Sequence, residues 1–209
     1  MNRQVRCTFS SIAAKLVLAA LVMVLPVVRA CAGNIYVDRT ATGANNGTSW
    51  ANAHTDLQSA LSAAISGDTI HVAQGTYKPT TSTYNNVTFQ LKNGVTLLGG
   101  YPTGGGTRNP ATNTTTLSGD LLGNDNSNVK WDEPTRSDNS FNVVTGSGTD
   151  NTAVMDGFTV TGGDARGTTG GGGMFNSGGG PPCKTSPSAA TRPSGVAAQY
   201  ATPGQSASF

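Results

Sequence analysis

Residues 48–78 read TSWANAHTDLQSALSAAISGDTIHVAQGTYK. Leu57, Ala60, Leu61, Ala64 and Ile65 recur at helical spacing, which gives a short helix one apolar face. Thr55 and Gln58 stand at capping-box spacing at its start, and Gly67 suits the position after its last turn. A strand follows, with Ile70 and Val72 alternating with His71 and Ala73, and Gln74–Tyr77 reads as a turn. No other stretch carries a convincing helical period.

Everything downstream is short, β-branched and punctuated by Gly and Asn: VTFQL (87–91), VTLLGGY (95–101), TTTLSGD (114–120), FNVVTG (141–146) and AVMDGFTVTGG (153–163). Short strands without intervening helices fit either an antiparallel sandwich or a parallel solenoid. The dipeptides Asn46-Gly47, Asn93-Gly94 and Asp156-Gly157 are hairpin signals and keep the sandwich open. The helix ahead of the first of these strands favours the solenoid, because a stack of parallel coils has an apolar end for a helix to plug.

Composition narrows the function classes. The chain of 209 residues has 28 Gly, 6% aromatic and 11% charged residues, a balance of turns and short strands. Its net charge of +2 conceals a segregation. Between Gly33 and Gly179, 7 basic residues face 11 acidic ones, so the body carries −4, a poor surface for nucleic acid. The basic surplus lies at the two ends. MNRQVRCTFSSIAAK, then the apolar LVLAALVMVLPVV, then ACA before Gly33 have the three parts of a secretory signal peptide over residues 1–32. The apolar run is short for a membrane span and Pro26 interrupts it, so the mature chain is expected to have no transmembrane segment. Cys7 and Cys31 fall in the leader and Cys183 in the tail, leaving the body to fold without disulfides.

The character changes again after Gly180, where Pro, Ser and Ala replace the strand pattern. Read one frame over from the Gly180 codon, the tail is compatible with PTLQNVTFSGNTA, then GGAI, then NSG. That repeats the order of elements in TAVMDGFTVTGGDARGTTGGGGMFNSG (152–178). Residues 180–209 are therefore read as a disordered tail produced by a frameshift, and 33–179 as the N-terminal part of a longer repeat domain, truncated there. A Pro/Ser-rich stalk is the alternative.

IYVDRTATGANNGTSWANAHTDLQSALSAAISGDTIHVAQGTYKPT (35–80), FQLKNGVTLLGGY (89–101), RNPATNTTTLSGD (108–120), NVVTGSGTDNTAVMDGFTVTGG (142–163) and GGGMFNSGG (171–179) resemble the bacterial secreted right-handed parallel β-helix repeat proteins. These are the pectate-lyase-like, surface-anchored type. The resemblance implies an all-β, right-handed parallel β-helix with a short N-terminal capping helix. It also implies a secreted or cell-surface location, on the bacterial outer membrane or outside it. The functional expectation is a non-catalytic, adhesion-type surface module whose partner is a polysaccharide or another cell surface. The alternative is a fragment of a polysaccharide lyase or glycoside hydrolase of that fold.

Two groups of residues are candidates for ligand contact. Trp50, Tyr77, Tyr84, Tyr101 and Trp131 have ring faces suited to stacking on sugars, and equally suited to packing at coil edges. Asp120, Asp125, Asp132, Glu133 and Asp138 gather in SGDLLGNDNSNVKWDEPTRSDN (118–139), where a calcium ion would find several oxygen ligands, although no recognised ligand spacing is present. No catalytic constellation is evident. No recognisable set of nucleophile and acidic partner accompanies His54 or His71 in sequence, and both read as surface residues. GGDARGTTGGGG (162–173) lacks the Lys-Ser/Thr ending of a phosphate loop, so its glycines read as corners.

Overall fold

Period-2 runs as short as these can bury one face only if several strands stack in register. The computed structural model of the chain describes residues 32–128, 130, 132–166 and 172–178, and in these the strands do stack. In chain order the elements are β1 (Asn34–Val37), α1 (Leu57–Ala63), β2 (Thr69–Ala73), β3 (Gly75–Tyr77), β4 (Phe89–Gln90), β5 (Thr96–Tyr101) and β6 (Thr115–Ser118). After a 3-10 turn at Pro134–Arg136 come β7 (Val144–Thr145), β8 (Val154–Asp156), β9 (Phe158–Thr161) and β10 (Met174–Phe175). Of the expected leader, residues 1–32, all but Ala32 lie outside the described residues, as does the whole of the expected tail, residues 180–209.

The strands form three sheets, β1-β2-β5-β8, β3-β6-β9 and β4-β7-β10, and the registered pairs are all parallel. From β2 onward the chain visits the three sheets in rotation, so each return to a sheet comes after passing through the other two. This makes the chain an all-β protein of parallel strands and overturns the antiparallel alternative. The dipeptides that suggested hairpins do turn the chain, with Gly94 at φ +72° and Gly157 at φ +80°. Two of the three are corners between sheets, Asn93-Gly94 leading from β4 to β5 and Asp156-Gly157 from β8 to β9, while Asn46-Gly47 turns within the loop after β1. Gly157 is required twice over, since a Cβ there would also come within 2.7 Å of Gly99 O at the corner below. Gln74–Tyr77, expected as a turn, is mostly strand: Gly75–Tyr77 is β3, registered with Thr115–Leu117.

The core lies between the sheets. Ile70, Val72 and Leu97 point inward from the first sheet, Tyr77 and Leu117 from the second, and Phe89 and Val144 from the third, all buried. Helix α1 packs Leu57, Ala60 and Leu61 against β1, β2 and β4. Its N-cap is Asp56, not Thr55: the Asp56 carboxylate accepts from Ser59 N at 2.7 Å and from Ser59 Oγ at 2.8 Å. The expected reciprocal partner, Gln58, instead donates to Pro79 O and Thr88 O and ties the helix to later loops. The helix also stops before Ile65, which is 48% exposed. Lys92 Nζ donates to the carbonyls of Leu61 and Ala64, and Asp68 Oδ2 accepts from Ile65 N, so tertiary partners satisfy the groups that another turn would have used.

Candidate functional site: the outer face of the first sheet

Registered positions of the first sheet make the row Ile35, Ile70, Leu97, Met155, which points into the protein. One residue further along each strand is the row Tyr36, His71, Leu98, Asp156, which points out and is half-buried throughout. Strict alternation would send Tyr101 inward. The register slips, however. His71 pairs with Leu98 but Ala73 pairs with Tyr101, so β5 spends one residue more than β2 over the same interval. The extra residue lies in Gly99-Gly100, where Gly100 has φ +95°. This bulge returns Tyr101 to the outer face beside His71.

The loop after β1 lays Trp50 over this face. Tyr36 and His54 exchange backbone hydrogen bonds with that loop (Tyr36 N to Gly47 O, His54 N to Tyr36 O), which covers the outer edge of β1. Buried Asp38 accepts from Thr40 N and Oγ1, and from Gly104 N at 2.7 Å, fastening a second loop to the first. Gly105 of that second loop, at φ +91°, lies against the Trp50 ring, and a Cβ there would overlap the indole.

The result is a contiguous group of rings. Tyr36 and Trp50 have centroids 4.9 Å apart, Trp50 and Tyr101 5.3 Å, and His71 and Tyr101 5.2 Å edge to face. Tyr36 stacks on His71 at 5.3 Å and 21°. His71 Nε2 is 2.8 Å from Asn34 Oδ1, and Nδ1 is 2.9 Å from the Tyr101 hydroxyl. Since the Asn34 oxygen only accepts, Nε2 carries the proton and Nδ1 accepts from the phenol, a fully satisfied neutral imidazole. Burial, and secondarily the Arg108 charge, holds the His71 pKa below 6.5. Burial raises the Tyr101 phenol, with Arg108 pulling it back. Arg108 itself donates from Nε to Gly99 O at 2.7 Å and from Nη2 to Asp156 Oδ2 at 2.8 Å.

Of the aromatic residues marked in the sequence, the structure brings Trp50 and Tyr101 together. Tyr77 is corrected: it points into the core from β3, is 3% exposed, donates to Ala73 O, and burial pushes its phenol up to about 12. It has no face to give a sugar. Tyr84 is 73% exposed on the segment between β3 and β4, with no ring contact to the group described above. Trp131 lies outside the described residues. Asn34, Tyr36, His71, Arg108 and Asp156 were missed. The signal for the strand members was the repeated inward-outward-inward triplet Ile35-Tyr36-Val37, Ile70-His71-Val72, Leu97-Leu98-Gly99, Met155-Asp156-Gly157.

Four of the five carboxylates in the acidic stretch accept hydrogen bonds from its own residues. Asp120 accepts from Gly123 N, Asn124 N and Asp125 N. Asp125 pairs with Arg136 at 3.1 Å and accepts from Asn139 Nδ2 at 2.9 Å, while Asp138 accepts from Leu122 N. Glu133 accepts from Asn126, Asn128 and Thr135, and Asp132 is exposed. Among the described residues no three His, Cys, Asp or Glu side chains converge to hold a metal ion, so the calcium expectation finds no assembled site there. A cleft of about 460 Å³ beside the start of α1 includes Arg39 and Lys78, whose charged ends donate to Thr76 O and Leu121 O. Among the described residues no helix is long and apolar enough to cross a membrane.

No protein-family model, curated protein or solved structure matches the chain.

Proposed function

We propose that the chain is an exported, non-catalytic surface module of the right-handed parallel β-helix type, which binds carbohydrate through the outer face of its first sheet. The three-fold rotation of parallel strands among sheets supports the β-helix reading. The basic, apolar and small-residue segments of residues 1–32 support export to the cell surface or beyond. The observation that carries the binding role is the half-buried group Tyr36, Trp50, His71 and Tyr101 beside the Arg108–Asp156 pair. Aromatic surface next to fixed donors and acceptors suits sugars, whose rings have apolar C–H faces and hydroxyl rims.

The test is adsorption of the purified full chain to insoluble polysaccharides. Retention should fall at least tenfold in Trp50→Ala, and equal retention of wild type and variant would overturn the reading. A polysaccharide lyase is favoured by one observation, the 2.9 Å contact of His71 with the Tyr101 hydroxyl, an acid–base pair at the surface. Ultraviolet absorbance of unsaturated product from polygalacturonate would establish it. A retaining or inverting hydrolase needs a pair of carboxyl groups, and the outer row of this sheet supplies Asp156 alone.

A further inference from the structure

Granting that this face binds carbohydrate, its charges select which kind. We infer that the outer face of the first sheet takes an uncharged saccharide, with the Arg108–Asp156 pair gripping adjacent hydroxyl groups and the Tyr36–Trp50–Tyr101 rings covering the sugar's apolar side.

The charged groups on this face are closed. Arg108 is the one cation in contact with it among the described residues, and Asp156 occupies it at 2.8 Å with both side chains 25% exposed. An incoming carboxylate or sulfate would have to compete with an anion already held by the scaffold strand. His71 adds no positive charge at neutral pH. Its two nitrogens are satisfied as donor to Asn34 and acceptor from Tyr101, and a proton on Nδ1 would face the phenol beside the Arg108 charge. Asp38, buried where it accepts from Thr40 and Gly104 under the covering loops, brings no cation to the face. The body as a whole, with 7 basic against 11 acidic residues between Gly33 and Gly179, repels polyanions.

What remains open on the face is complementary to hydroxyl groups. Asp156 Oδ1 and Arg108 Nη1 have no hydrogen-bond partner among the described residues, so the pair keeps one acceptor and one donor unused. Two neighbouring hydroxyls, one donating and one accepting, meet that pair without leaving a charge uncompensated.

The experiment is affinity electrophoresis of the full chain in gels containing neutral glucan, mannan or galactan, beside gels containing polygalacturonate or alginate. Wild type should be retarded by a neutral polymer and not by the uronates. Asp156→Asn opens Arg108 and should reverse the preference, weakening the neutral ligand about tenfold and creating retardation by a uronate. Asp156→Glu keeps the pair's charge and should retain the wild-type preference, which separates charge selection from mere disruption of the fold. Wild type retarded by uronates as strongly as by neutral polymers overturns this inference and leaves carbohydrate binding standing. An Asp156→Asn variant with the wild-type preference overturns the role of the pair. Retardation by no polymer overturns both this inference and the reading beneath it.

Discussion

His71 illustrates how one residue's environment is set by neighbours distant in the chain. In sequence it is a polar residue on the outward side of a strand, with no partner within its own segment. In the structure it sits between Asn34, 37 residues before it, and Tyr101, 30 residues after it, with Tyr36 stacked on its ring. Burial there, and secondarily the Arg108 charge, disfavours the protonated ring, so the folded pKa lies below the 6.5 of the unfolded chain. The unfolded state therefore binds the proton first as pH falls. Stability contributed by His71 is fully present above pH 6.5, is lost as pH drops from 6.5 through the folded pKa, and is constant below that. Melting temperatures of wild type and His71→Gln across this range should show an acid-side slope that is steeper in wild type. Parallel curves would mean that His71 titrates alike in both states. Tyr101 carries a related lesson. Its identity suggested sugar contact, but its direction depends on the Gly99-Gly100 bulge, which alternation alone reads wrongly.

At the scale of elements, the helix shows which local rules prevail. The apolar spacing of Leu57, Ala60 and Leu61 was legible and is buried as expected. The ends were not. Two residue types at the start, Thr55 and Asp56, can both cap, and the choice fell to the side chain whose carboxylate reaches Ser59 N and Oγ together. Asp56→Ala should cost about 1 kcal/mol in denaturant unfolding, with α1 still formed because its face remains buried. A loss well under that amount would show that burial alone positions the helix start. The far end was illegible for a different reason: the groups that end it belong to Lys92 and Asp68, and no window around Ile65 contains the lysine. Each short β-branched run contains a strand, while β1 and β10 went unread and β3 was expected as a turn. Strand partners were read less well, since an Asn-Gly or Asp-Gly pair marks a turn without fixing whether the chain folds back as a hairpin or rounds a corner into another sheet.

In the whole molecule, strands of two to six residues have no stability singly and gain it from a shared interior. Phe89 shows the dependence. It belongs to the two-residue strand β4, yet it is fully buried and among the largest side chains of the core. Phe89→Ala should cost roughly 3 to 5 kcal/mol in chemical denaturation, a large share of a small domain's stability. A cost below about 1 kcal/mol would mean that the third sheet contributes little to the cooperative unit. An all-β body with a single short helix, the acidic balance of that body and the absence of cysteine from it could all be read from the residues alone. Each follows from composition and local period, which do not depend on distant partners. The fold was needed to choose between parallel and antiparallel strands, to turn Tyr77 into the core, and to show Asp120, Asp125, Glu133 and Asp138 accepting hydrogen bonds from their own loop. It alone assembled Tyr36, Trp50, His71, Tyr101, Arg108 and Asp156 on one face. These outcomes rest on hydrogen-bond register between strands roughly 4.8 Å apart in space and tens of residues apart in the chain, and on one bulge that shifts that register.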